Sequence, residues 1–338
     1  REVLAIQEDA GVDIVTDGEQ RRDSFFSFVA EKLDGVRMMT LAEMLELIED
    51  KAAFERILQT LDVPAYAISN ATCVGRISRA RPLAADELRF VKRHSDKPVK
   101  IPLPGPYLMT RSMYVPEACR DAYAGKEELG EDVVRVLREE VAELLDEGVA
   151  CIQFDEPVLT EVVFTGGQVR TFMCAALASG KDPAEELEFA ADLMNRVLDG
   201  FDFEAVGAWS ALHICRGNWS RNEGTLLRGG YAPLAETIDR VRVDQVVLEY
   251  ATERAGDLLR FPGKRLGLGV LNPRTERIES LSEITGSIRR ALEIYPLNCL
   301  SLNPDCGFAT FSQRPVNTGA VAREKLGALT AAAMAFRG

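Results

Sequence analysis

Short, almost wholly apolar runs alternate along this chain with longer amphipathic stretches. The runs lie at 13–16, 98–103, 150–154, 209–214, 245–250, 265–270 and 300–303. Continuous apolar character over so few residues marks parallel strands buried on both faces. Between the runs, 131–147, 183–198, 281–294 and 321–335 carry apolar residues at helical spacing. Such alternation predicts βαβ crossovers and a parallel sheet. The stretch from 25 to 97 is too long for one loop. It reads as an insertion after the second strand, with a helix near 41–61 and strand-like runs at 65–69 and 72–77. A hairpin over the mouth of the sheet is the expected arrangement.

The polar residues that interrupt this pattern collect at the C-terminal ends of the strands. They are Asp17-Gly-Glu19, Asp155-Glu-Pro157, His213-x-Cys215, Glu249, Asn272 to Arg274, and Asp305-Cys306. A (β/α)8 barrel builds its active site on that face. An open doubly wound sheet binds mainly at its switch point. Reactive groups on so many strand ends favour a TIM-type α/β barrel, and a single domain over 1–338 is expected. Seven strand runs are counted where a barrel needs eight.

Charge narrows the function. Lys and Arg number 40 against 53 Asp and Glu, a net charge of −13 over 338 residues. An acidic chain lacks the basic surface that phosphate contact needs, so no nucleic-acid partner is expected. No apolar run approaches the roughly 18 residues of a membrane span, and no signal-peptide pattern stands at the start. The seven cysteines are odd in number and widely spaced. Such usage suggests a reducing, cytoplasmic setting rather than a disulfide framework.

His213-x-Cys215 is the sharpest local feature, because imidazole and thiolate are zinc ligands. Glu249 ends the next strand and Cys306 follows the last, at gaps of 34 and 57 residues. Those gaps are wrong for a zinc finger and suit a metal held between strands. Taken alone, the pair reads more readily as a buried thiol beside a hydrogen-bonded imidazole. Cys73, Cys119, Cys151, Cys174 and Cys299 have no His or acid partner that the sequence singles out.

Six segments, in order along nearly the whole chain, resemble the C-terminal catalytic barrel of cobalamin-independent methionine synthase, and more closely its short single-barrel members. They are Thr16-Asp-Gly-Glu-Gln-Arg-Arg22, Ile152-Gln-Phe-Asp-Glu-Pro157, His213-Ile-Cys-Arg-Gly-Asn218, Leu248-Glu-Tyr250, Leu268-Gly-Val270 and Asn303-Pro-Asp-Cys-Gly307. The resemblance implies zinc on His213, Cys215, Glu249 and Cys306. It implies homocysteine as the thiol, its ammonium held by Glu19 and Asp155. It also implies a first strand that this chain, which opens at Arg1, does not contain.

Two departures concern the methyl donor. Arg274 stands where the family's folate-protonating histidine is expected, and a guanidinium is a poor acid. The Gly-Pro motif is present as Gly105-Pro106, but Ser112 stands at the place of a pterin-stacking Trp. Both losses weaken a methyl-folate reading and admit a methyl-corrinoid donor brought by a corrinoid protein. Arg76, Arg79, Arg81 and Arg111 are candidates for an anionic donor tail or thiol, or for plain surface pairing. Two other readings stand beside this one. One is an epoxide:coenzyme M-type thiol transferase, which Glu19 and Asp155 mildly disfavour. The other is a zinc-stabilised binding protein without chemistry of its own.

Overall fold

The computed structural model describes residues 1–47, 69–164, 182–218 and 220–337. Chain order begins with helix α1 (Glu2–Asp9), then strands β1 (Leu33–Thr40) and β2 (Ser69–Arg79) and helix α2 (Ala85–Lys92). Strand β3 (Lys100–Pro104) leads through helices α3 (Pro106–Met113) and α4 (Lys126–Asp146) to β4 (Cys151–Asp155). Helix α5 (Pro183–Leu198) precedes β5 (Trp209–Ile214) and β6 (Gln245–Leu248). Strand β7 (Arg265–Leu271), helix α6 (Leu281–Leu292), strand β8 (Leu300–Pro304) and helix α7 (Gly319–Met334) complete the principal elements.

Strands β3 to β8 form one sheet in sequential order, every pair parallel. Its interior explains the apolar runs: Ile101, Leu103, Ile152, Phe154, Leu212, Ile214, Val246, Leu248, Leu266 and Leu268 are all buried. Strands flanked on both faces take mainly apolar side chains, and the polar ones within them are paired, as Gln153 is with Lys100 and Ser210 with Asp244. The register sets Pro104 opposite Asp155, Asp155 opposite His213 and His213 opposite Val247. One sheet level therefore carries two of the predicted site residues side by side.

The first predicted run, 13–16, is realised as a single parallel bridge from Val15 to Val99 rather than a strand. Val15 N donates to Pro98 O at 3.0 Å and Val15 O accepts from Lys100 N at 2.9 Å. The chain then leaves the sheet at once, because Gly18 and Glu19 adopt left-handed φ of 69° and 52°. Predicted helices match observed ones closely, although the 131–147 helix begins earlier, at Lys126. Asp182 caps α5 through Ala184 N, with Pro183 in the first turn, and Ser280 with Glu283 closes a capping box on α6.

The excursion differs from expectation. Its core is an antiparallel hairpin of β1 and β2, and β1 had no predicted counterpart. The run at 72–77 belongs to one long strand, Ser69–Arg79, and a helix at Leu41–Leu47 opens the predicted helical stretch. The remainder of 41–61 and residues 65–68 lie outside the described residues. The described hairpin braces α3 and α4. Asn70 Nδ2 donates to Ser112 O at 2.6 Å, and Arg79 pairs with Glu140 and Glu143 of α4. Glu140 is fully buried and accepts from Leu83 N (2.7 Å), Ala84 N (2.7 Å), Ala85 N (2.9 Å) and Arg79 Nε (2.8 Å). One carboxylate thus caps α2 and ties the hairpin to the helix layer. At the other end of the chain, Thr330 of α7 donates to Ala10 O beside α1 at 2.6 Å. No helix among the described residues is long and apolar enough to cross a membrane.

Candidate metal and substrate site

Three side chains converge beyond the C-terminal ends of β5 and β8. The ligand atoms of His213, Cys215 and Cys306 all lie within 4.8 Å of one another. His213 Nε2 and Cys306 Sγ are 3.8 Å apart. His213 Nδ1 lies 3.1 Å from Val247 O, so the neighbouring strand holds the ring with Nε2 turned toward the thiols. A backbone carbonyl on the far nitrogen is the arrangement that orients a metal-binding imidazole. Strand β5 ends at Ile214, one residue before Cys215, yet the two side chains still meet.

The electrostatics suit a thiolate centre. The hydrogen bond from Cys306 is the largest influence on Cys215 and, with His213, outweighs burial, holding the Cys215 thiol well below its usual range. Cys306, half-buried and donating in that pair, is pushed well above it by the hydrogen bond to Cys215 first and by desolvation second. Burial alone would lower His213, but the Cys215 thiolate, Asp155 and Glu249 push it up to about 9. Two sulfurs and one oriented imidazole nitrogen form a donor set that fits Zn²⁺.

Glu249, the fourth expected ligand, lies alongside this group and not within it. Its Oε2 accepts from Arg216 N at 3.0 Å and Arg216 Nη1 at 3.3 Å. Its Oε1 faces Arg254 Nη2 at 3.4 Å and Arg274 Nη1 at 3.6 Å. Burial first, then the charges of Asp305 and Cys215, raise its carboxyl to about 7 against the pull of Arg254 and Arg274. Asp305, in sequence no more than a polar strand end, completes the group. Its Oδ1 accepts from Tyr250 N and Ala251 N, both at 2.9 Å, and Oδ2 lies 3.7 Å from Arg274 Nη2. Gly269 permits this crossing, since a Cβ there would sit 2.3 Å from Asp305 Oδ1. Arg254 stands in a polar turn that carries no sequence signal of its own.

The opposite flank is acidic. Glu19 Oε1 accepts from Arg22 Nη1 at 2.8 Å, and Arg22 is fixed by Glu87 at 3.0 Å, by Pro102 O at 3.0 Å and by the Phe28 ring. Asp155 accepts from Gln153 at 2.8 Å. Burial raises both carboxyls; Arg22 opposes it at Glu19 and His213 opposes it at Asp155, while the charge of Asp155 raises Glu19 further. Asp17, between them in sequence, has both carboxylate oxygens buried and without a hydrogen-bond partner among the described residues. Glu156, next to Asp155, has a structural task. It accepts from Tyr107 N (2.8 Å) and Leu108 N (2.9 Å) at the start of α3. Gly105 leaves room for it, because a Cβ there would sit 2.2 Å from Glu156 Oε1.

Other candidates resolve into packing. Arg76 pairs with Glu128 and Asp132, Arg79 with Glu140 and Glu143, and Arg111 with Glu186, while Arg81 donates to Glu31 O. Ser112 is buried within α3. Cys73, Cys119 and Cys151 are buried, and Cys299 is half-buried. His94 stacks on Phe90 beyond α2. Cys174 lies outside the described residues.

Residues 1–178 and 206–333 match the family described as cobalamin-independent synthase, catalytic domain. The chain belongs to that family and is a methyltransferase. Among curated relatives, a methionine synthase of Thermococcus kodakarensis is 28% identical over 317 residues, covering 92% of this chain and 76% of that protein. One from Sulfolobus acidocaldarius is 26% identical over 308 residues, covering 90% and 73%. Among solved structures, a B12-independent methionine synthase from Shewanella sp. W3-18-1 in complex with selenomethionine superposes with a TM-score of 0.73 at 25% identity. The match covers 100% of this chain and 86% of that one.

Proposed function

We propose that this chain is a zinc-dependent thiol methyltransferase that methylates homocysteine to methionine within a single (β/α)8 barrel. The observation that carries the reading is the convergence of His213, Cys215 and Cys306 at one end of the parallel sheet. Those three would hold zinc, with Glu249 the carboxylate at hand to exchange between its arginines and the metal. Bound zinc supplies a Lewis acid that keeps the acceptor sulfur deprotonated near neutral pH, where a free thiol with pKa about 8.5 is mostly protonated. Glu19 and Asp155 would take the substrate ammonium by charge-assisted hydrogen bonds. With sulfur and ammonium both anchored, the thiolate is aimed at the methyl carbon, and orientation supplies much of the rate. The carbon–sulfur bond forms as the methyl leaves its donor.

The donor is the open choice. Arg274 is fully buried and faces Glu223, Glu249 and Asp305. A guanidinium held among carboxylates does not protonate a leaving nitrogen. This supports a donor that needs no proton on departure, such as a methyl-corrinoid delivered by a partner protein. The test is turnover with homocysteine and methyl-tetrahydrofolate, methylcobalamin or no donor. Efficient folate turnover, unchanged in Arg274→Ala, returns the chain to folate-dependent chemistry. Homocysteine methylation by none of the donors, with thiol addition to an epoxide instead, moves it to the thiol–epoxide reading.

A further inference from the structure

The arginines beside the candidate metal group are more than Glu249 and Asp305 require. Arg216, Arg254 and Arg274 are all buried, as are Glu249 and Asp305. The fully buried set therefore carries three guanidinium groups against two carboxylates. Five of the guanidinium nitrogens donate no hydrogen bond to any described residue. They are Nη2 of Arg216, Nε and Nη1 of Arg254, and Nε and Nη2 of Arg274. A buried cation with unused donors is strongly unfavourable unless an anion answers it. Guanidinium forks in this state match a carboxylate or similar oxyanion better than any neutral group.

The third carboxylate in reach is of a different kind. Glu223 sits on the short turn Glu223–Thr225 and its side chain is 32% exposed. Its Oε1 lies 3.5 Å from Arg274 Nε, beyond good hydrogen-bond geometry, and accepts from Asn272 Nδ2 at 2.7 Å. It is thus a partly exposed carboxylate facing a fully buried guanidinium.

The site is also polarised across the metal group. Glu19 and Asp155 lie on the side of β3 and β4, and the arginines follow β5, β6 and β7. A ligand with an anionic end meets attraction on one flank only. Arg216 directly follows Cys215 and its backbone N–H holds Glu249, so this flank adjoins the sulfur ligands.

We propose that Arg216, Arg254 and Arg274 form a carboxylate-binding subsite beside His213, Cys215 and Cys306, and that the Glu223 side chain holds the place of the ligand's carboxylate until it binds. The location rests on the proposed function, but the binding does not need turnover. Two sources share this chemistry: the carboxylate of the amino-acid acceptor and a carboxylate tail on the methyl donor.

Isothermal titration of the zinc-loaded full chain separates them. One arm compares L-homocysteine with 3-aminopropane-1-thiol, which lacks the carboxylate. The other compares N-acetylated triglutamate with its fully amidated, uncharged form, and uses no thiol. The proposal expects one carboxylate-bearing probe to bind at least about tenfold more tightly than its partner without the carboxylate. Arg254→Gln and Arg274→Gln should remove that preference. Glu223→Gln, at a partly exposed position, should keep the fold and strengthen anion binding several-fold. The result that overturns the proposal is a carboxylate preference absent from both arms, or one that Glu223→Gln leaves unchanged. Failure to bind zinc while triglutamate binding still responds to Glu223→Gln would sink the metal reading and leave this one standing.

Discussion

Glu140 lies far from the candidate site in the chain, yet its loss should be among the most costly single changes in this fold. Its carboxylate answers three backbone N–H groups at the start of α2 and the Nε of Arg79 on β2. In Glu140→Ala all four donors lose their acceptor in a place water does not reach. Each orphaned donor is worth about 1–3 kcal/mol, but such terms overlap and do not add. Breaking a buried ion pair from one side costs about 3–5 kcal/mol, and that is the better guide to the whole. A destabilisation near 4 kcal/mol is expected, at roughly 2 °C per kcal/mol in a chain of this size a fall in Tm of about 8 °C. Glu140→Gln keeps one carbonyl acceptor and should lose about half as much. The same helix start carries Glu87, which fixes Arg22 against Glu19. The KM for homocysteine should therefore rise in Glu140→Ala wherever enough folded protein survives. Urea unfolding followed by circular dichroism measures the stability term. A loss under about 1 kcal/mol with the m-value unchanged would refute the reasoning, because it would mean that water or another acceptor replaces the carboxylate.

The remaining expectations concern the site. Cys215→Ser and Cys306→Ser should each lower bound zinc well below one per chain by metal analysis; full stoichiometry in both variants would remove the assignment. Gly105→Ala should destabilise by about 1–3 kcal/mol, since the added Cβ meets Glu156 at 2.2 Å and forces it from the start of α3; an unshifted urea midpoint would count against that. Burial raises Glu19 and Asp155 above their ordinary values of 4.5 and 3.8. If their charged forms hold the ammonium, kcat/KM for homocysteine should rise with pH along a limb above the usual carboxylate range. The sign for stability is the reverse: their contribution is present below the unfolded values and is lost as pH rises through the raised folded ones. A pH–rate limb near 4, at the unperturbed carboxylate position, would contradict the burial argument.

Six of the seven apolar runs were legible in the sequence as strands because a parallel strand buried on both faces reads as a short, mainly apolar run. The polar strand ends stand out against such runs, so His213, Cys215 and Cys306 are candidates from the sequence itself, whereas Glu19 and Asp155 are candidates only through the family resemblance. Strand β1 was not, since Leu33–Thr40 forms half of a hairpin that rests on other elements, and its burial alternates irregularly. What only the tertiary structure decided was which polar end faces which. Glu249 reads from the sequence as a fourth ligand, but the fold places Arg216, Arg254 and Arg274, drawn from three different loops, around its oxygens. Glu156 sits beside Asp155 yet caps α3, and Gly105 and Gly269 matter only because carboxylates from distant strands cross them. Local sequence records the period of burial, whereas the pairing of buried charges depends on residues brought together across the sheet, and no spacing along the chain encodes that distance.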